Sequence, residues 1–275
     1  MLLPVWKLTI EYDGTRYYGW QEQKNSRTVA GELRGAAEKF FEERVDLAGA
    51  GRTDAGVHAL AQIARLKASR GARPVEVLYA LNDRLPADIN VLKVEETSAS
   101  FDPRRDAISR SYVYQISIRR TAFAKKFVWW VRDPLNVEAI SKAAAFLKGR
   151  HDFRNFCERQ EDDRSTLVVV QGVELAQAGD LILFRIVASH FLWKMVRRIV
   201  GALVEVGRGR LTVEDFASLL RPTSKPPSVA KSFDVAAFTA PPSGLFLENV
   251  VYRDDELPGE LVPPFPCSNP RRLSQ

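Results

Sequence analysis

Apolar residues in the first hundred positions follow two different periods. Over residues 5–12 apolar and polar positions alternate, which is typical of a strand with one buried face. After Thr28, a residue type suited to a helix N-cap, the apolar residues fall on one helical face as far as residue 44. The pattern then predicts strands over 45–50, 60–67 and 89–95 and a helix over 74–85 that opens with a proline. The predicted order is βαββαβ.

The same succession of predicted strands and helices begins again after residue 101. A helix over 192–206 is closed by Gly207, and a short helix follows Thr212 and runs to residue 220. The other predicted elements are strands over 109–118 and 127–131, a helix over 137–148, and strands over 167–176, 181–188 and 245–252. Split βαβ units form antiparallel sheets with helices on one face. The sequence therefore predicts an α+β protein with two ferredoxin-like (RRM-like) βαββαβ halves.

This order of elements divides the chain into two halves and a tail. Residues 1–105 would form the N-terminal half and residues 106–255 the C-terminal half. The stretch 221–243 is rich in proline, serine and lysine, and we expect an ordered loop there. The tail over 256–275 carries five prolines, and we expect it to be mobile and to lie outside the core.

Composition excludes several classes of protein. The 275 residues are 45% apolar, and no stretch reaches the roughly 20 consecutive apolar residues that span a bilayer. With no signal peptide pattern at the N-terminus, we expect a cytoplasmic protein. Two cysteines and three scattered histidines do not have the spacing of a disulfide framework or a metal site. The glycine-rich nucleotide motifs and the GxSxG elbow are missing, so the sequence indicates neither a metal nor a cofactor.

Basic residues are concentrated between residues 104 and 132. The chain has 40 basic and 34 acidic residues in all, but this stretch contains a single acid, Asp106. Eight cations are interleaved there with six aromatic residues: Arg104, Arg105, Arg110, Arg119, Arg120, Lys125, Lys126 and Arg132, with Tyr112, Tyr114, Phe123, Phe127, Trp129 and Trp130. Cations for phosphates beside aromatic rings for unstacked bases suit looped RNA. A solvated strand pair with an aromatic inner face is the alternative.

A charged pair lies in a glycine-rich loop. Residues 48–59 read Ala-Gly-Ala-Gly-Arg-Thr-Asp-Ala-Gly-Val-His-Ala, with Arg52 and Asp54 between the glycines. Glycine allows tight turns and a close approach to a ligand. A carboxylate held against its target can act as a covalent nucleophile, and Arg52 could hold Asp54 in place. A plain turn would explain the same residues.

A second candidate lies on the helix predicted over 192–206. Arg197 falls at the edge of its apolar stripe, whereas Lys194 and Arg198 point toward solvent. An arginine in this position either pairs with an acid or snorkels, with its stem on the core and its head group in water.

Several motifs together resemble one family. Residues 51–59 are similar to the catalytic loop of the TruA-type tRNA pseudouridine synthases. Further blocks occur in the family's order: residues 11–14 with 19–21, 110–114, 149–153, 191–197 and 244–247. The family's twin ferredoxin-like halves agree with the predicted elements.

The resemblance implies roles for individual residues. Asp54 would be the nucleophile in the isomerisation of uridine, with Arg52 flanking it and Arg197 as its charge partner. Tyr112 would pack on the target base, which must leave its stack to react. Residues that would contact tRNA are Phe101, Arg104, Arg105 and Arg110. Residues 157–164 align loosely with another tRNA-contacting loop, although their acids would repel phosphate.

The resulting hypothesis is a homodimeric tRNA pseudouridine synthase that acts on positions 38 to 40 of the anticodon arm and needs no cofactor. Both the dimer and these positions come from the resemblance alone. Two alternatives remain at this point. One is a synthase for another tRNA position or another RNA, and the other is a non-catalytic RNA-binding protein on the same fold.

Overall fold

A computed structural model describes residues 4–158, 165–221, 233–253 and 255–266, which form two compact units. The described parts of Met1–Ser109 and Phe246–Leu257 make up the first unit, and those of Arg110–Leu245 and Pro258–Gln275 make up the second. The division differs from the predicted halves in where it assigns the last strand and the start of the tail.

The first unit has the predicted order of elements. Its strands and helices are β1 (Val5–Tyr12), α1 (Val29–Phe41), β2 (Asp46–Gly49), β3 (His58–Lys67), α2 (Pro74–Asn82) and β4 (Ile89–Glu96). These strands are antiparallel and lie in the order β4-β1-β3-β2, as in a ferredoxin-like unit. The predicted cap is confirmed, since the Thr28 hydroxyl accepts the Gly31 amide. Helix α1 ends earlier than predicted because Glu42 adopts a left-handed conformation.

The core of the first unit is built from the predicted faces. On β1, Leu8 and Ile10 are fully buried, and Trp6 packs on Phe41 of α1 with ring centroids 5.3 Å apart. Leu33 of α1 is also fully buried. Each such side chain contributes about 1.5–3 kcal/mol when it leaves water.

The second unit repeats the pattern with additions. Its elements are β5 (Ser109–Ser117), β6 (Trp129–Trp130), α3 (Val137–Ala145), β7 (Gly149–Asp152), β8 (Leu167–Ala178), β9 (Leu181–Ala188), α4 (Met195–Gly207) and α5 (Val213–Ser218). The antiparallel order is β5-β9-β8-β7, and β6 pairs in parallel with β5. The α+β class is confirmed. Strand β7 was not predicted, because four residues that start at a glycine with φ of +112° carry no readable period.

The bounds of α4 correct the prediction at both ends. The helix begins at Met195 instead of residue 192, because Lys194 is left-handed with φ of 60°. Gly207 is its last helical residue, and the C-cap is Arg208. A Cβ on Gly207 would lie 2.7 Å from Cδ1 of Ile140, so this glycine allows α3 to approach closely.

The last strand, β10 (Leu245–Val251), belongs with the first unit from Phe246 onward. It pairs in parallel with β3, where Phe246 lies opposite His58. The sequence pattern assigned it to the second half, since periodicity identifies a strand and not its neighbour.

Part of the predicted mobile tail packs on the second unit. The Phe265 ring stacks on Phe127 with centroids 4.5 Å apart. The buried Arg185 guanidinium donates to the carbonyls of Gly259 and Glu260 at 2.8 and 3.1 Å. Residues 258–266 are therefore held in place, while residues 267–275 lie outside the described part, as do residues 222–232 of the predicted loop.

Candidate active site

The catalytic-loop candidate, residues 51–57, joins β2 to β3 and is held by hydrogen bonds at both ends. The Gln62 side chain donates to the Gly51 carbonyl at 3.0 Å, and the Val57 amide donates to the Asp54 carbonyl at 3.1 Å. The hydroxyl of the buried Thr53 lies 2.8 Å from that of Tyr12. The loop is thus a turn with an internally bonded backbone, which is a firm support for a side chain.

A second segment, residues 14–20, packs against this loop through two glycines. The Trp20 amide donates to the Thr53 carbonyl at 3.1 Å. A Cβ on Gly19 would lie 2.5 Å from that same carbonyl oxygen, and one on Gly14 would lie 1.9 Å from the carbonyl oxygen of Val57. Only glycine permits these approaches. Sequence reasoning noted both glycines as parts of family blocks but did not identify the contact.

His58 ends the loop and is buried. Its Nδ1 accepts the Gly14 amide at 3.1 Å and lies 3.2 Å from Oδ1 of Asp13, and its ring stacks on Phe246 with centroids 4.8 Å apart. Burial acts to raise the pKa of Asp13, but the contact with His58 and the two hydrogen bonds from Thr15 outweigh it and hold the pKa well below its usual value. Sequence reasoning found no metal-site spacing around His58 and included it in the loop motif, but it missed this anchoring role.

The two charged residues of the loop are accessible to solvent, and its anchoring residues are buried. Asp54 is half-buried and Arg52 is exposed, whereas Thr53 and Val57 face the interior. An open cavity of about 570 Å³ adjoins the loop on its Ala55 side. Its lining residues are Thr15, Arg16, Tyr17, Tyr18, Ala55 and Gly56. A carboxylate on a hydrogen-bonded turn whose next two residues line an open cavity is a suitable arrangement for a reactive group.

The three predicted tRNA contacts of the first unit lie after β4. Phe101 packs on Tyr252 with ring centroids 5.4 Å apart. The amides of Arg104 and Arg105 both donate to the Asp102 carboxylate at 2.9 Å, which fixes the turn. Both arginines are exposed, and Arg105 forms an ion pair with Asp106 at 2.9 Å.

The second unit holds Arg110 and Tyr112 on β5. The Arg110 guanidinium donates to the Ser189 carbonyl at 3.1 Å. Tyr112 is 8% exposed, and its ring meets Phe191 edge to face with centroids 4.9 Å apart. Both residues are therefore oriented by neighbours within their own unit.

Arg197 of α4 is held by the segment that precedes β10. Its Nε donates to the Ala240 carbonyl at 2.7 Å, and its own carbonyl accepts the Ala240 amide at 3.0 Å. A Cβ on Gly201 would lie 1.7 Å from the Phe238 carbonyl oxygen, so glycine is required for this approach. Because its head group is bonded to protein, Arg197 is more than a snorkelling side chain.

The prediction that Lys194 and Arg198 point into solvent is wrong for Arg198. Its side chain is only 11% exposed, donates to the Cys157 carbonyl and lies 3.6 Å from Glu158. Lys194 also pairs with Glu158, at 2.5 Å. This acid, expected to repel phosphate, is thus neutralised within the unit, and the acids at residues 161–163 lie outside the described part.

Arg52, Asp54, Phe101, Arg104 and Arg105 belong to the first unit, and Arg110, Tyr112 and Arg197 belong to the second. Across the described ranges, no three His, Cys, Asp or Glu side chains are grouped as a metal site requires. Nor does the described part contain a helix long and apolar enough to cross a membrane.

Sequence comparison decides which family these features represent. A family profile described as tRNA pseudouridine synthase matches residues 8–104 and 143–253, which is more than half of the chain. The chain belongs to this family. As a member it is an isomerase, and the resemblance drawn from the motifs is confirmed.

Individual relatives in the pseudouridine synthase family agree. The chain is 39% identical over 255 residues to a tRNA pseudouridine synthase A of Brucella ovis, an alignment that covers 91% of this chain and 98% of the relative. The same values hold for the protein of that name in Brucella canis. A crystal structure of a Cbf5-Nop10-Gar1 complex aligns with a TM-score of 0.33 and 11% identity, over 72% of this chain and 54% of that one. This structural similarity is too low to bear on function.

Proposed function

We propose that this protein converts uridine to pseudouridine in the anticodon stem-loop of tRNA, at positions 38 to 40, with Asp54 as the nucleophile. The observation that supports it most directly is the loop geometry. Buried Thr53 and Val57 anchor the turn, and Asp54 between them is half-buried. The two residues that follow it, Ala55 and Gly56, line an open cavity. Membership of the tRNA pseudouridine synthase family supports the substrate class.

The reaction needs a nucleophile and a means of holding a detached base. The bond between N1 of uracil and C1′ of ribose breaks, the uracil rotates, and a bond from C5 to C1′ forms, while the C5 proton is released to solvent and N1 takes up a proton. Asp54 would attack the sugar or the ring and leave again, so that atoms balance without redox or phosphoryl transfer. No cofactor is required by this scheme.

The other proposed residues serve the flipped uridine. Tyr112 would cover the base with its ring, and Arg197 would pair with the Asp54 carboxylate and hold its charge. Arg52 would flank Asp54 as a further catalytic residue. Arg110, together with Phe101, Arg104 and Arg105, would bind the RNA backbone or its bases. These roles follow from the family resemblance.

Release of tritium from uracil C5 tests the chemistry. We expect wild-type protein to release tritium from labelled tRNA and Asp54→Asn to bind the tRNA without release. Asp46→Asn, an exposed carboxylate of β2 that pairs with Arg65, is the matched control and should keep its turnover. Wild-type protein that binds many tRNAs but releases no tritium from any of them would instead be a binding protein.

Mapping pseudouridine in the treated RNA tests which positions are modified. Base-specific chemical adducts identify pseudouridine, which has the same mass as uridine. We expect adducts only at positions 38 to 40, and their loss when those uridines are replaced by cytidine. Adducts elsewhere in the tRNA, or in another RNA, would refute the anticodon assignment.

Homodimerisation and cytoplasmic localisation are further parts of the proposal. Sedimentation equilibrium of the purified chain should give twice the monomer mass of 30.9 kDa. Fractionation of cells should recover the protein with the cytoplasmic tRNA.

A further inference from the structure

Two consecutive tyrosines lie in opposite environments. Tyr17 is buried, and its hydroxyl donates to the Asp88 carboxylate. Tyr18 is 63% exposed. Its backbone is nevertheless fixed, because its amide donates to the Arg27 carbonyl and its carbonyl accepts from the Gln23 side chain, both at 2.9 Å. Tyr18 therefore presents an aromatic ring to solvent from a rigid backbone.

Tyr18 lines the open cavity beside the catalytic loop. Arg16, an exposed cation, lines it as well, and so do Ala55 and Gly56, which directly follow Asp54 in the chain. The cavity of about 570 Å³ has a size typical of small-ligand sites, roughly 300–1,000 Å³. None of the six lining residues is acidic.

We propose that this cavity binds one unpaired nucleotide adjacent to the target uridine, with its base stacked on Tyr18 and its phosphate bound by Arg16. An aromatic face with a neighbouring cation is how single-stranded nucleic acid is held without base-specific hydrogen bonds. The nucleotide is a neighbour of the target because Ala55 and Gly56 belong to the Asp54 turn. This inference rests on the proposed function for the identity of the RNA.

The proposed nucleotide site would raise the affinity for RNA without selecting a particular base. Stacking uses the π face that every base has, so any of the four bases could occupy the cavity. Binding of a neighbour would help to keep the loop of the RNA open while the uridine is displaced. We therefore expect substitutions at Tyr18 to change the affinity for RNA more than the rate at which bound RNA reacts.

Binding measurements in the Asp54→Asn background test the proposal, with an anticodon stem-loop RNA followed by fluorescence anisotropy. We expect Tyr18→Ala to raise Kd about tenfold and Tyr18→Trp to stay within about twofold of the parent. Tyr79→Ala is the matched control, since Tyr79 of α2 is 65% exposed but does not line the cavity, and it should leave Kd unchanged. Arg16→Ala should weaken binding and lower the slope of log K against log salt by about one.

Removing the partner base identifies what Tyr18 contacts. Stem-loops with a single abasic nucleotide on either side of the target uridine should include one that binds the parent about tenfold more weakly. Tyr18→Ala should bind that RNA and the intact RNA equally well. The proposal is overturned if Tyr18→Ala binds like Tyr79→Ala, or if its defect is the same with both abasic RNAs as with the intact one.

These results are independent of catalysis, because the parent protein lacks the nucleophile. Failure of tritium release with a Tyr18-dependent Kd would leave the nucleotide site standing and refute the proposed isomerase reaction. Normal tritium release with a Kd that does not depend on Tyr18 would support the isomerase reaction and refute the nucleotide site.

Discussion

Gly19 lies directly against the carbonyl of Thr53, so that a Cβ at this position would be 2.5 Å from the carbonyl oxygen. Gly19 also has φ of +89°, a conformation that other residues rarely adopt. Thr53 immediately precedes Asp54. The position of the proposed nucleophile therefore depends on a glycine far from it in the chain.

Gly19→Ala should displace the Asp54 turn. The Cβ meets backbone atoms, which cannot rotate away, and we expect a loss of about 1–3 kcal/mol in the free energy of unfolding. A shift of about 1 Å in a reactive group typically lowers turnover about 100-fold. Urea denaturation and tritium release measure the two effects.

Gly35→Ala is the control for this substitution. Gly35 lies in α1, and a Cβ there would meet nothing within 4 Å. Alanine at this position should stabilise the helix by up to about 1 kcal/mol and leave turnover unchanged. Equal activities of the two variants would show that the Gly19 contact does not position Asp54.

The depressed pKa of Asp13 predicts a loss of stability in acid. Above the ordinary value of 3.8 this carboxyl is ionised in both folded and unfolded chains, and its stabilising contribution is complete. As pH falls below that value the unfolded chain takes up the proton first, so the contribution shrinks until the folded pKa is passed. The stability difference between wild type and Asp13→Asn should therefore be constant from about pH 5 to 7 and decrease below about pH 4, as measured by urea denaturation. A difference that grew in acid would contradict the contacts with His58 and Thr15.

Arg197→Ala should fold and lose most of its turnover. If Arg197 pairs with the Asp54 carboxylate as proposed, its removal should lower kcat about 100-fold or more. Single-turnover tritium release measures this loss. Arg198→Ala is the neighbouring control, and we expect it to reduce stability by about 1–3 kcal/mol, since it loses the Cys157 and Glu158 contacts, with turnover largely kept. Near-normal turnover in Arg197→Ala would make its role structural.

A chain that ends after Leu257 should be less stable. The truncation removes the stacking of Phe265 and leaves the buried Arg185 guanidinium without two carbonyl acceptors, which should cost about 2–4 kcal/mol in thermal or urea unfolding. In the Arg185→Met background the same truncation should cost less, because no buried cation is left with missing partners. Equal costs in both backgrounds would show that Arg185 does not hold the tail.

Several features were accessible from local sequence. Alternation over β1 and the stripe of α1 identify buried faces, and the α+β class follows from their succession. The capping role of Thr28 was equally readable, because a cap is a contact between residues three apart. Motif order was sufficient for the family.

Other features were not accessible because they join distant residues. The environment of Arg198 depends on Cys157 and Glu158, although helical periodicity alone pointed this side chain into solvent. Strand β7 owes its existence to pairing with β8 and not to its own four residues. The start of the tail looked mobile by composition, yet Arg185 binds it across a separation of 74 residues.

The sequence by itself determined most of the strands and helices and the family to which the chain belongs, and it predicts where the reactive carboxylate lies, because periods and motifs consist of near neighbours in the chain. Tertiary structure alone decided that Gly14 and Gly19 support the Asp54 turn, that His58 anchors it, and that β10 pairs with β3. The physical reason is that a periodic pattern records which face of an element is buried. It does not record which distant backbone fills the space against that face.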